Sequence, residues 1–236
     1  MIKLAFKDSG EYFEINSPKI IALGLNYLDH INESVSRQTS KNSGIPQEPV
    51  LFNKTPNVLI ENGEDIIIPK FLERYEFDNP RVDYEAELAI IINQKASNLS
   101  EKEAWDYILG YTCMNDVSQR NLQTGDDSGW FRGKSLDTFG PIGPLIARPE
   151  QIEDPQNLKI ESRLNGKTVQ SSNTSQMIFK IPEIISFVSK NFTLERGDII
   201  MTGTPAGVGP ISNGDIVEIE IEDIGILKNS VIDKME

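Results

Sequence analysis

The run Val82-Asp-Tyr-Glu-Ala-Glu-Leu-Ala-Ile-Ile-Ile92 constrains this chain more than any other segment. Successive side chains of a strand point to opposite faces, so Glu85 and Glu87 share one face with Ala89 and Ile91. Tyr84, Ala86, Leu88 and Ile90 take the other. Both faces turn apolar within a few residues, the pattern of a strand covered on both sides. Two carboxylates at the mouth of such a strand cannot stay ionised side by side without a cation or a shared proton. The plain alternative is a solvated strand end, and other segments have to decide between the two.

Strand patterns recur along the chain. They are predicted at Met1–Phe6, Tyr12–Ile15 and Ile20–Leu23, at 49–53, 58–60, 65–68 and 84–93, and after Gly197 at Asp198–Met201 and Asp215–Glu222. One helix is predicted from a capping box at Ser100 and Glu103. An apolar stripe of Ala104, Tyr107, Ile108 and Leu109 follows, and Gly110 closes it. A second is predicted with Pro182 at its first position, burying Ile184, Ile185 and Val188. Residues 31–48 are polar and read as a mobile surface loop or lid. Strands dominate, which points to an α+β, mostly-β fold with few helices and not to a doubly wound α/β sheet. At 236 residues, one large domain or two small ones would fit.

Charge narrows the partners. A net charge of −13 with no basic tract argues against nucleic acid and against anionic membranes. A small anionic substrate would then need a local positive centre, and a bound cation supplies one. Cys113 is the only cysteine, so neither a disulfide framework nor a cysteine zinc site is available. The N-terminal residues lack the apolar core of a signal peptide and no apolar run approaches bilayer length; a cytoplasmic location is expected.

Four segments carry candidate chemistry. His30 is the only histidine, and Glu33 lies one helical turn on. A carboxylate beside an imidazole fixes its tautomer and raises its basicity, as a general base requires, though an exposed histidine of no consequence has the same sequence. Asp116, in Tyr111-Thr-Cys-Met-Asn-Asp-Val-Ser118, is either a turn residue or the third carboxylate of an all-oxygen site suited to Mg²⁺, Mn²⁺ or Ca²⁺. Lys134 follows Gly133, but Gly129 and Gly133 are spaced by three residues where a phosphate loop needs four. It reads as an anion contact or as a solvated lysine, and a nucleotide site is not expected. Thr202-Gly-Thr-Pro-Ala-Gly-Val-Gly209 could cradle a carboxylate with backbone N–H groups or simply connect two strands.

In this order, six stretches resemble the fumarylacetoacetate hydrolase family: Gly24-Leu-Asn-Tyr-Leu-Asp-His30, Pro49-Val-Leu-Phe-Asn-Lys54, Asp83-Tyr-Glu-Ala-Glu-Leu88, Gly110-Tyr-Thr-Cys-Met-Asn-Asp-Val117, Gly133-Lys-Ser-Leu-Asp-Thr-Phe-Gly-Pro141 and Gly197-Asp-Ile-Ile-Met-Thr-Gly-Thr-Pro-Ala-Gly-Val-Gly209. The resemblance implies a β-sandwich roll over residues 20–236 after a strand-forming leader at 1–19. It also implies a homodimer and a divalent ion, Mg²⁺ first, held by Glu85, Glu87 and Asp116. On the same ground His30 and Glu33 would be a proton-transferring dyad on a segment that orders over substrate, and Lys134 would contact substrate and hold the catalytic water. Arg120, Gln123 and Thr204 stand where members bind the carboxylate and keto oxygens of substrate. The implied activity is on a small 2-oxo or 2,4-dioxo acid through a metal-stabilised enolate, with C–C hydrolysis, isomerisation or decarboxylation as the outcome. One departure is Gln119-Arg-Asn121, where members often carry Ala-Arg-Asp. The N-terminal domain of longer members is expected to have no counterpart in these residues.

Two other readings compete. Glu85 and Glu87 could be the acid and nucleophile of a β-sheet glycoside hydrolase, a reading that leaves His30, Glu33 and Asp116 unexplained. The carboxylates could instead stabilise a non-enzymatic β module through calcium.

Overall fold

The computed structural model of the chain describes residues 2–16, 18–33 and 45–233, with 31–33 described by backbone alone. The double-faced run predicted above is the middle of its largest sheet. That run divides into β7 (Val82–Tyr84) and β8 (Ala86–Ile92), with Glu85 at the break. β8 pairs antiparallel with β9 (Ile108–Asn115) on one side and with β14 (Ile199–Met201) on the other. Nine strands make this sheet. The remaining six are β1 (Ile2–Phe6), β2 (Tyr12–Ile15), β3 (Ile20–Gly24), β4 (Val50–Lys54), β5 (Leu59–Ile60) and β11 (Gly140–Ala147). The order runs β2-β1-β11-β9-β8-β14-β3-β4, with β5 added beside β11.

Both faces of β8 are covered, by different means. Tyr84, Ala86, Leu88, Ile90 and Ile92 enter a core shared with a second sheet, β13-β12-β16-β17-β6. Its strands are β6 (Ile66–Ile68), β12 (Lys159–Leu164), β13 (Lys167–Asn173), β16 (Ile216–Ile221) and β17 (Gly225–Asp233). The helix Ile181–Asn191 packs Ile181, Ile184, Ile185 and Val188 into the same core. Each such buried aliphatic side chain contributes about 1.5–3 kcal/mol. Ala89 and Ile91 face a separate cluster with Ile2, Leu4, Ile20, Ala22, Met114, Ile142, Ile199 and Met201, all from strands of their own sheet. A sheet whose strands pack one face against each other has curled on itself. The architecture is therefore the expected mostly-β roll and sandwich of mixed sheets.

A third, small sheet positions the chemistry. β7 leaves the large sheet to pair with β10 (Ser118–Gln119) and β15 (Gly209–Pro210). Its neighbour β9 ends at Asn115, and pairing resumes with β10. Glu85 and Asp116 thus occupy matching gaps where two adjacent strands change sheets, a geometry that turns side chains into a corner.

Three expectations need correction. The helix capped by Ser100 stops at Ala104, a 3-10 turn covers Trp105–Tyr107, and Ile108, Leu109 and Gly110 begin β9. Its capping box is present as predicted. Pro182 takes the second position of its helix, because Lys180 is the N-cap. The predicted strand 84–93 is broken at Glu85. Most of the proposed lid, residues 34–44, lies outside the described residues. None of the described helices is long and apolar enough to cross a membrane.

Candidate active site

Glu85, Glu87 and Asp116 are all buried, and each offers a carboxylate oxygen within 4.8 Å of the others. Backbone bonds fix the corner. Asp116 N–H donates to the Glu85 carbonyl at 2.9 Å, and Glu85 N–H donates to Asn115 Oδ1 at 2.9 Å. Glu87 Oε2 accepts the Gly203 N–H at 2.8 Å. Gly203 has φ +95°, and a Cβ there would sit 2.8 Å from Asn26 Cβ, so only glycine brings this N–H so close. The Gly-rich loop therefore serves a carboxylate, one belonging to the protein itself.

Cations surround the triad. Lys134 Nζ donates to Glu85 Oε2 at 2.9 Å and to Asp116 Oδ2 at 2.5 Å. Lys54 Nζ donates to the other Asp116 oxygen at 2.6 Å and to the Val117 carbonyl at 3.2 Å. Arg120 donates through Nε to Asp83 Oδ2 at 2.6 Å, through one terminal nitrogen to Gln123 Oε1 at 2.8 Å, and through the other to Glu85 Oε1. Asp83 is itself held from its other oxygen by Arg81 Nε at 2.6 Å.

These arrangements split the paired glutamates. Burial works to raise Glu85, but Arg120, Lys134 and His30 together hold it well below the usual carboxylate range. Burial also raises Glu87, and the neighbouring Asp116 and Glu85 charges push the same way. Lys134 and the Gly203 N–H offset little of this, and Glu87 lies well above its ordinary value. The two lysines on Asp116 diverge as well. Burial lowers Lys54 despite Asp116, whereas Lys134, with two carboxylates, ends raised against the same burial. An all-oxygen, carboxylate-rich, buried donor set fits a hard divalent ion such as Mg²⁺, Mn²⁺ or Ca²⁺.

Above this floor lies a narrow cleft lined by Leu23, Gly24, Leu25, His30, Phe52, Glu85, Glu87, Arg120, Gln123, Trp130, Lys134 and Thr204. The candidate site residues predicted from the sequence meet here, with Asp116 beneath. Glu33 ends the helix Leu28–Glu33, and its side chain lies outside the described residues. Lys134 reaches the floor because its short helix, Trp130–Lys134, packs against the helix Arg120–Gly125 at Gly133. A Cβ at that glycine would meet Gln123 N at 2.6 Å and Gln119 O at 2.7 Å. Four buried residues to which no sequence motif gave a role organise the site. They are Lys54, Asp83, Asn26 and Gln170. Asn26 clamps the turn before His30 through the Thr202 carbonyl at 2.8 Å and the Phe179 N–H at 2.8 Å. Gln170 Nε2 donates to Thr204 Oγ1 at 2.9 Å while its Oε1 accepts the Ala86 N–H at 3.0 Å. Asn26, Lys54 and Asp83 lie within stretches that resemble the family but drew no role there, and Gln170 lies in none of them, since a polar residue that is buried by tertiary packing has no periodic signature.

Residues 19–232 match the family described as fumarylacetoacetate (FAA) hydrolase C-terminal. The chain is 40% identical over 222 residues to oxaloacetate tautomerase YisK of Bacillus subtilis, covering 91% of this chain and 70% of that protein. The fold superposes on the 5-carboxymethyl-2-hydroxymuconate delta-isomerase of Mycobacterium smegmatis with a TM-score of 0.81 and 35% identity, covering 97% and 87% of the two chains. It superposes on the maleylpyruvate hydrolase of Sphingobium sp. SYK-6, solved with manganese(II) and pyruvate, with a TM-score of 0.75 and 31% identity over 92% and 71%.

Proposed function

The chain belongs to the fumarylacetoacetate hydrolase family, and from that premise we propose that it is a divalent-metal-dependent enzyme acting on a small 2-oxo or 2,4-dioxo acid. One observation carries the reading: three buried carboxylates within 4.8 Å of one another lie at the floor of a cleft lined by Arg120, Lys134 and His30. Glu85, Glu87 and Asp116 would hold the ion. When bound, Mg²⁺ or Mn²⁺ supplies Lewis acidity that favours charge on a neighbouring keto oxygen.

The protein's own groups do the rest. Arg120, fixed by Asp83 and Gln123, presents a planar fork to a carboxylate. Thr204, steadied by Gln170, adds a hydroxyl to the same cleft. His30 lines the cleft on a helix that begins after the Asn26 clamp, where it can take or return a proton next to the keto group. Lys134 remains charged, because its two carboxylates outweigh its burial, and stabilises negative charge across the cleft. Enol–keto proton transfer is our first reading, supported by the tautomerase relative. Cleavage of an acylpyruvate is the second, supported by the hydrolase neighbour.

A panel of oxaloacetate, acetylpyruvate, fumarylpyruvate and 2-hydroxyhepta-2,4-dienedioate, followed by ultraviolet absorbance, tests this. Chelation with EDTA should abolish turnover and Mg²⁺ or Mn²⁺ should restore it. Turnover indifferent to EDTA would refute the reading. His30→Ala should reduce turnover by about 10²-fold or more, the low end of what a general acid–base group supplies, while leaving Mn²⁺ affinity by calorimetry close to that of the parent. An unchanged rate would remove His30 from the proton path.

A further inference from the structure

We propose that Trp130, seated on Gly24, is the residue that sets how long a substrate the cleft accepts. The inference rests on the functional reading above and deepens it. A line of contacts leads from the carboxylate floor to the rim. Lys134 Nζ, bonded to Glu85 and Asp116, lies 4.9 Å from the centroid of the Phe52 ring. Phe52 in turn meets the Trp130 indole edge-to-face, with centroids 5.2 Å apart and planes at 68°. Trp130, Phe52, Gly24 and Leu25 are all partly exposed, whereas Glu87, Gln123 and Thr204 are buried. Glu85, Glu87, Gln123, Lys134 and Thr204 therefore form the base of the cleft, and the two aromatic rings stand at its partly exposed rim, as do Arg120 and His30.

Gly24 is what lets the indole lie there. It is in β3, and its φ is not in the left-handed region, so its backbone tolerates any side chain. A Cβ on Gly24 would fall 2.7 Å and 2.8 Å from two carbons of the six-membered ring of Trp130, and its next neighbour, Val50 Cγ1, is at an ordinary 3.8 Å. Among the described residues it is the indole that requires glycine at this position. With its acid end held at Arg120 and the metal site, a substrate directs its distal end toward Phe52 and Trp130. An apolar wall of this kind limits the length of that end and favours a short, uncharged acyl group.

The pair makes a double-mutant test. The wild type, Trp130→Ala, Gly24→Ala and the double variant are assayed with Mn²⁺ on 2,4-dioxo acids of increasing alkyl chain, and their melting temperatures are measured without substrate. Trp130→Leu repeats the first arm with a milder change. Trp130→Ala should raise the long-to-short ratio of kcat/KM by about tenfold or more, since one methylene in a fitted pocket is worth about 10–200-fold. Gly24→Ala should lower both the melting temperature and turnover across the series. The double variant should recover both to the level of Trp130→Ala, because the clash leaves with the indole. An unchanged length profile in both Trp130 variants, or a double variant as impaired as Gly24→Ala, would overturn the proposal. Absence of turnover on every 2-oxo and 2,4-dioxo acid in the wild type would instead take down the parent reading together with its substrate clause. An active wild type with an unaltered profile in the variants sinks this inference alone.

Discussion

Asp116→Asn is expected to remove metal-dependent turnover and to destabilise the metal-free protein at the same time. Asp116 is fully buried and is shared by two buried ammonium groups, Lys54 on one oxygen and Lys134 on the other. Asparagine keeps the shape and deletes the charge. Lys134 keeps Glu85, but Lys54 is left with neutral acceptors alone, the side-chain amide oxygen at position 116 and the Val117 carbonyl, and no carboxylate. Stranding a buried charge in this way costs about 3–5 kcal/mol. In urea the unfolding midpoint of the variant should fall accordingly. The metal site would lose one of three carboxylates, and since a Lewis acid supplies several kcal/mol to the barrier, turnover should fall by about 10³-fold or more. Asp116→Asn combined with Lys54→Met separates the two effects. The double variant should regain much of the stability, because no stranded charge remains, yet should bind Mn²⁺ as poorly as the single variant. Stability unchanged in Asp116→Asn would mean that Lys54 is solvated or neutral in the fold. Turnover unchanged would exclude Asp116 as a ligand.

How far this corner could be read beforehand follows from which of its features are local. The alternation of β8 is local, and it put Glu87 on the face of Ala89 and Ile91 and Leu88 on the face of Ile90, as found. The break at Glu85 is not local: Val82–Ile92 is one uninterrupted β pattern, and the interruption arises where β7 changes partners from the large sheet to β10 and β15. Likewise Ala104, Tyr107, Ile108 and Leu109 satisfy a helical stripe, but Ile108 is claimed by pairing with β8 and Leu109, at the bulge beside it, by burial, a tertiary gain that exceeds the small helix preference of the segment. β11 went unseen because Gly140-Pro-Ile-Gly-Pro144 has turn composition. Its pairing with β9 is indeed irregular between Gly143 and Ala147, as prolines within a sheet require. The candidate site residues could be picked out beforehand because they are ionisable and few in type, and the fold brings them, the Glu33 side chain aside, to one cleft and its floor. Asp83, although it opens a stretch that resembles the family, and Gln170 drew no role because their importance lies in what they hold, Arg120 in one case and Thr204 with Ala86 in the other.

Metal binding should release a proton and should strengthen steeply with pH, and Glu87 is the reason. In the metal-free protein burial, Asp116 and Glu85 keep the Glu87 carboxyl well above its ordinary value of 4.5, so it carries a proton where an exposed glutamate has lost it. Glu85 is held low by Arg120 and Lys134 against its burial and is already ionised there. A ligand must be a carboxylate, so the ion displaces the Glu87 proton. Between the ordinary and the raised value, affinity for Mn²⁺ should rise by about tenfold per pH unit. Calorimetry in buffers of different ionisation enthalpy should count about one proton released per ion. Stability moves the other way. Across the same window the folded metal-free chain holds a proton that the unfolded chain does not, so this group's stabilising contribution is complete below pH 4.5 and declines as pH rises, by about 1.4 kcal/mol per unit. Glu85, with its depressed value, contributes stability above pH 4.5 that is lost on acidification, so the two slopes occupy different pH ranges and can be told apart. Glu87→Gln should abolish the proton release, flatten the pH dependence of whatever Mn²⁺ binding survives, and relieve the metal-free protein of its loss of stability toward neutral pH. Proton release that persists in Glu87→Gln would locate the displaced proton on another group and remove Glu87 from the ion's coordination. Release in the parent that vanishes in the variant ties the paired glutamates to one ion through the difference between them, one ready as a carboxylate and one that becomes a carboxylate only when the ion arrives.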